Sequence, residues 1–296
     1  ERKVDAAAVR QMVRRGMQKL TGKSAPFQHL FKPTDRVGLK INCLGRPLIY
    51  THHEVVQAFC AELEAAGVKP GNIVVWDRFD RHLTDCGFKL ADDPKAVRVL
   101  ASETYSDGPG RLNANVTYTS GKDNPDGRED GGDKSRLSHI FTSDVDKVIN
   151  LAILKDHALA GVTLCLKNIA FGLCDNNRRF HRREHIGPFI ADFCARQDVQ
   201  DKFTLHIIDG LEGCFDHGPK PGSSADLFRP NTIWFGFDPV ALDALGAQAI
   251  EAQRKVKGLK PLKRVGRHPQ HIELAAKGGL GVADLDKIDV DRLTLG

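Results

Sequence analysis

Residues 154–168 read LKDHALAGVTLCLKN, and their first residue, Leu154, is the last of the apolar run VDKVINLAIL. Lys155, Asp156 and His157 stand in a row at the end of that run, and Lys167 and Asn168 close the stretch. Core strands avoid such residues, because burying an unpaired ion is costly. Either these side chains line a cleft or they end a strand at a solvated turn. In a cleft, the lysines would neutralise an anion and His157 would move a proton near neutral pH. Lys155 and His157 are therefore the candidate catalytic residues, with Lys167 and Asn168 as candidate ligand-binding residues. Lys155 is expected to be solvated, so that its loss would change stability little.

The same pattern recurs where other apolar runs end. Lys40 and Asn42 close VGLKIN, Asp77 and Arg78 close NIVVWDR, Asp209 ends KFTLHIID and Asp238 ends NTIWFGFD. Ligands of open α/β sheets bind beyond the carboxyl ends of the strands. Lys40, Asn42, Asp77, Lys155, His157 and Asp209 are accordingly expected to line one crevice. The plainer alternative is that strand ends are polar because chains turn in water.

Two further stretches carry metal-ligand chemistry in outline. In NNRRFHRREHIG, His181 and His185 stand four residues apart and would share one face of a helix, a spacing that suits a divalent metal. The neighbouring Arg178, Arg179, Arg182 and Arg183 repel a cation and would suit a carboxylate or phosphate instead; a plain solvated helix is the third reading. DGLEGCFDHGPKPG holds Glu212, Asp216 and His217, which could coordinate a metal or handle protons, or merely sit in a tight turn. His181, His185 and His217 are the candidate metal ligands. No G-x-G-x-x-G, P-loop or G-x-S-x-G pattern occurs. The seven cysteines form no C-x-x-C pair, so iron–sulfur spacings are absent and burial as small apolar side chains is expected.

Positioning these residues requires alternating strands and helices. Arg2 to Leu20 reads as an amphipathic helix. A strand over Val37–Ile41 is followed by a helix in THHEVVQAFCAELEAAG, with Thr51 and Glu54 forming a capping box, and by a strand over Ile73–Trp76. That order is a βαβ unit, which favours parallel pairing. Further strands are expected at Val148–Leu154, Leu205–Ile208 and Thr232–Phe235. Further helices are expected in HIGPFIADFCARQ, PVALDALGAQAIEAQRKVKG and HPQHIELAAKGG. The fold class is α/β, a mostly parallel doubly wound sheet in one domain over 1–296, with a long polar insertion at 102–138.

That insertion is rich in Gly, Asp, Asn and Pro, and a loop so long is usually a lid, a binding loop or a contact surface. A hairpin around NVTYTS, anchored by Val116, Tyr118 and Ile140, is expected at the sheet edge. Its acidic residues (Asp107, Asp123, Asp126, Glu129, Asp130, Asp133) are expected over the crevice or against a neighbouring subunit, near Arg178 to Arg183. The 296 residues carry a formal charge of +5, from 43 basic and 38 acidic side chains, with 7% aromatics. Neither figure is a nucleic-acid footprint. No run approaches the ~18 apolar residues of a membrane span. The chain begins at Glu1, which suggests a cleaved leader and export.

VGLKIN, THHEVVQAFCAELEAAGV, NIVVWDR, VINLAILKDHALAGVTLCLKN, IIDGLEG, DPVALDALGAQAIE and HPQHIELAAKGGLGVADLDKI together resemble the domain of unknown function 362 family. The resemblance implies an α/β fold and, for many members, twin-arginine export, hence a periplasmic or extracellular location. Some members carry ferredoxin-like cysteines, which this chain lacks. Lys155, His157 and Gly161 also bear a distant likeness to the nickel-pincer lactate racemase group. Two functions are expected to compete. One is an enzyme or binding protein for a small anionic molecule, with a divalent metal. The other is a non-catalytic structural or assembly protein, a homo-oligomer or polymer whose insertion makes subunit contacts.

Overall fold

A computed structural model describes residues 4–104, 110–119 and 134–295. Its strands are β1 (Val37–Lys40), β2 (Ile73–Phe79), β3 (Arg98–Glu103), β4 (Leu112–Tyr118), β5 (Ser135–Ser138), β6 (Lys147–His157), β7 (Gly161–Val162), β8 (Phe203–Cys214), β9 (Leu227–Phe228) and β10 (Thr232–Gly236). The helices are α1 (Ala6–Thr21), α2 (Pro26–Leu30), α3 (His53–Ala65), α4 (Asp80–Asp85), α5 (Leu164–Leu173), α6 (Arg183–Cys194), α7 (Gln197–Lys202), α8 (Pro239–Val256) and α9 (Gln270–Lys277).

Six strands form the body of the sheet in the order β10–β8–β6–β1–β2–β3, with β7 and β9 appended to β6 and β8. Five of the six run parallel, and β10 joins β8 antiparallel. From β1 the chain winds outward through α3 to β2 and β3; it then returns to β6 on the other side of β1 and winds outward again. The strand order therefore reverses between β1 and β6, the switch point where doubly wound sheets hold their ligands. In register, Lys40 lies opposite Asn150, and β6 runs on past that row as far as His157.

Strand alternation explains how the two faces are filled. Val37, Leu39 and Ile41 join Ile73, Val75, Ile149, Leu151, Leu205 and Ile207 under α1, α2 and α3. Trp76, Val148, Ala152 and Ile208 lie on the opposite face, under α5, α6, α8 and α9. Gly38 is required there, because a β-carbon would collide with the Trp76 ring. Lys40, next but one, reaches the same face beneath α5. All seven cysteines are buried and unpaired, as small apolar residues would be.

Three local expectations are corrected. No capping box forms at α3: Thr51 lies before the helix, and its hydroxyl accepts from the Asn42 N–H (2.9 Å) and donates to the Leu151 carbonyl (2.9 Å). His181 and His185 do not share a helix, since α6 starts at Arg183 and His181 ends the separate turn Arg178–Phe180. The hairpin does not extend the sheet edge. Instead β4 and β5 pair as a separate two-stranded sheet lying on α6. The Tyr118 hydroxyl donates to Asp192 (2.6 Å), and its ring meets Phe189 and Phe193 at centroid distances of 5.5 and 5.2 Å. An aromatic cluster on a helix outcompetes a sheet edge that offers only backbone hydrogen bonds. The acidic residues Asp107, Asp123, Asp126, Glu129, Asp130 and Asp133 lie outside the described residues. Among the described residues, no helix is long and apolar enough to cross a membrane.

Candidate functional site

A hydrogen-bonded chain of polar side chains fills the switch point. The Lys40 ammonium pairs with Asp77 Oδ1 (2.7 Å) and donates to the Ile41 carbonyl (2.6 Å) and Asn168 Oδ1 (3.3 Å). Asn42 Nδ2 donates to the same Asn168 oxygen (3.0 Å), while Asn42 Oδ1 accepts from the Lys155 ammonium (2.7 Å). Asn168 Nδ2 in turn donates to Asn150 Oδ1 (2.8 Å), and Asn150 Nδ2 to the Cys165 carbonyl (3.1 Å). Lys40, Asn42, Asp77, Lys155 and Asn168 are thus brought together, from β1, β2, β6 and α5. The solvated Lys155 that the sequence suggests is a correction: its side chain is fully buried, in a stretch of β6 that runs past the last β1 pairing and stays flanked by β8.

Helix α5 sets the remaining geometry. Every one of its residues is buried. Asn168 and Gly172, four apart, form one stripe facing Lys40, and a β-carbon at Gly172 would sit 2.7 Å from the Lys40 ammonium. Lys167 and Phe171 form the adjacent stripe, with the ammonium 4.1 Å from the ring centroid. Asp243 of α8 fixes the start of α5 by accepting from the N–H groups of Cys165 (2.6 Å) and Leu166 (3.0 Å). Thr163, the residue at the cap position, makes no such bond.

The electrostatics of the lysines differ. Burial alone would raise the Asp77 carboxyl, but the Lys40 charge and bonds from Lys40 and the backbone of Cys43 and Arg78 hold it below its ordinary value. Lys40 and Asp77 therefore balance. Arg78 pairs with Glu103, donates to Asn177 Oδ1 (2.6 Å) and is balanced likewise. Burial lowers Lys155 to about 8, against the pull of Asp77. Lys167 is lowered to about 7 by burial and then by the charges of Lys155 and Arg78. Neither Lys155 nor Lys167 has an ion-pair partner among the described residues. His157 is depressed well below its ordinary value by burial and then by Lys167. Its Nδ1 accepts the N–H groups of Leu159 and Ala160 (both 3.1 Å), so the neutral ring carries its proton on Nε2. His181 lies 6.2 Å from it, ring to ring, and burial lowers it to about 3.

Other candidates lie elsewhere. Asp209 faces the start of α3, where its carboxylate accepts from the N–H (2.8 Å) and the ring (2.8 Å) of His52, the residue before that helix. Asp156 points away to Arg267 (2.8 Å) and the Gly218 N–H (2.8 Å). Asp238 caps α8. The metal set does not assemble. His185 stands beside Glu184, and His217 is exposed and bonded to Asp226 (2.7 Å). Among the described residues no group of three or more metal-binding side chains is arranged around a common point. A divalent ion therefore has no fitting donor set in these residues. The arginines do not converge either: Arg179 is buried and donates to Ser135 Oγ (2.9 Å), Arg183 reaches the Gly266 carbonyl, and Arg178 and Arg182 are exposed. Glu212 and Asp216 are held by Arg229 and by Arg254 and Arg267.

Sequence reasoning did not single out Asn150, Gly172 or Asp243. Asn150 had a visible signal, as a lone amide in an apolar strand. Gly172 and Asp243 had little, because their roles depend on which helix packs where. Two surface hollows, of about 470 and 310 Å³, open beside α3 and around Leu90 and Ala91; neither is lined by the lysines. The network is enclosed by its own packing. No curated protein matches the chain. A family model described as Domain of unknown function (DUF362) matches residues 37–248, the span from β1 into α8 that supplies every residue of the network. The chain belongs to the DUF362 family.

Proposed function

We propose that the protein binds a small organic anion at the switch point between β1 and β6 and acts on it by proton transfer. One observation carries this: Lys155 and Lys167 are two buried ammonium groups without a counter-ion of their own among the described residues, while Lys40 and Arg78 beside them are paired. Burying such charge is unfavourable unless something compensates it. A carboxylate or phosphate supplies that compensation, and would raise both lysines back toward their ordinary range. Lys155, whose ammonium burial makes more acidic, and His157, a neutral imidazole, are the groups placed to give and take a proton. Lys40, Asn42, Asp77, Asn150 and Asn168 position them.

Calorimetric titration with small carboxylates and with phosphate tests the proposal. One saturable site per chain, weakened at least tenfold in Lys155→Gln and in Lys167→Gln, is the expected result. Absence of binding by every anion tried, or binding indifferent to both substitutions, contradicts it.

A further inference from the structure

The lysines of this protein fall into two kinds. Where a lysine is half-buried for structural reasons, its ammonium finds oxygen. Lys147 donates to the Leu30 carbonyl (2.7 Å), and Lys202 to the carbonyls of Phe141 (2.7 Å) and Val145 (2.9 Å). Inside the site, Lys40 has Asp77 and Lys155 has Asn42. Lys167 has neither. It is 3% exposed, lies 4.1 Å from the Phe171 ring centroid, and among the described residues nothing accepts a hydrogen bond from it. An amine that attacks carbon must spend time uncharged. Proteins bring this about by withholding water and carboxylates and by setting another cation nearby. All three conditions hold at Lys167: it is buried, it lacks a counter-ion, and Lys155 and Arg78 bear on it.

We propose that Lys167 condenses with the carbonyl group of a small 2-oxo carboxylate to form an imine. This deepens, and rests on, the anion-binding reading of the same site: the substrate carboxylate compensates Lys155 while its carbonyl meets Lys167. The uncharged amine adds its lone pair to the carbonyl carbon. The nitrogen gives up a proton and the oxygen gains one, which leaves a neutral carbinolamine. The carbon–oxygen bond then breaks, the hydroxyl departs as water with the nitrogen's remaining proton, and the nitrogen lone pair completes the carbon–nitrogen double bond. Amine and ketone become imine and water, with no oxidant or reductant. His157, a neutral imidazole that feels the Lys167 charge, is the group that relays the proton.

The test uses the full chain with pyruvate as the probe, with and without cyanoborohydride, followed by intact and peptide mass spectrometry. The expected result is one reduced pyruvate adduct per chain, located on Lys167. It should form at least ~10-fold faster than adducts on exposed lysines, because far more of Lys167 is uncharged near neutral pH. A Lys167→Arg chain that keeps its circular dichroism should not label. Localisation in the wild-type chain stands even if that variant fails to fold. Saturable pyruvate binding by calorimetry with no adduct on Lys167 overturns the imine and leaves anion binding in place. Labelling spread evenly over surface lysines overturns the imine as well. Failure of pyruvate and of every other anion to bind overturns both.

Discussion

At the residue scale, the site departs from what a folding protein would select. Lys167 is buried without an acceptor, so removing its charge should help the fold and harm the function. Lys167→Met, close in length and apolar, is expected to raise the thermal midpoint at neutral pH by roughly 2 °C or more, because a buried uncompensated charge is lost. The same substitution should weaken anion binding. A stabilised variant that still binds normally would count against the site. Lys40→Met should behave in the opposite way: it strands Asp77 as a lone buried carboxylate, at a cost of about 3–5 kcal/mol, measurable by denaturant titration. Most of these residues could be read from the sequence as polar groups ending apolar runs. What could not be read was their burial, or which side of the sheet each one faced. Asp209 ends an apolar run just as Asp77 does, yet β8 continues past it to Cys214 and its carboxylate goes to His52, not to a lysine. A place at the end of an apolar run names a row, and only the packed neighbours decide the partner.

At the element scale, α5 is the piece that converts a sheet edge into a site. Its sequence LCLKNIAFGL is apolar nearly all round, so no amphipathic period marks it as a helix, and its placement depends on Asp243, which stands 78 positions after Cys165. Gly172 gives a direct check on that placement. Alanine is favoured over glycine in a helix interior by about 1 kcal/mol. Here, however, the added carbon collides with the Lys40 side chain and crowds its ammonium. Gly172→Ala is therefore expected to destabilise the protein by ~1–3 kcal/mol and to disturb the Lys40–Asp77 pair. A stabilised Gly172→Ala protein would show that α5 does not lie over Lys40 in solution. The strands, by contrast, were legible to within about three residues, because apolar runs bounded by turns have few other homes; β8 is the exception, since it continues to Cys214 through glycines that read as a loop. The strand β3 went unread: RVLASE alternates weakly and adjoins the polar insertion.

At the scale of the whole molecule, the strand order places two groups of like charge at the one point where the chain leaves in both directions. That arrangement has a pH signature. The folded values of Lys155 and Lys167, about 8 and about 7, lie below the ordinary lysine value of 10.5. The unfolded chain therefore holds more protons across the interval between them. From this pair of groups alone, stability should rise as pH increases from about 7 toward about 10, and the destabilisation should be fully present below about 7. Chemical denaturation of the wild-type and Lys167→Met chains across that range should show a smaller slope in the variant. Anion affinity should move the other way, falling as pH rises through about 7–8, since only the protonated lysines attract the ligand.

The most direct measurement of the central claim is proton uptake on ligand binding. Oxalate, a carboxylate with no ketone to condense with Lys167, is titrated into the protein near pH 7.5, by calorimetry in buffers of different ionisation enthalpy. If two uncompensated lysines receive the anion, binding must raise their proton affinity. The heat will then depend on the buffer, with net uptake of a fraction of a proton or more per site, and the dependence will shrink in Lys167→Met. Binding with the same heat in every buffer, or uptake unchanged by Lys167→Met, would contradict the account.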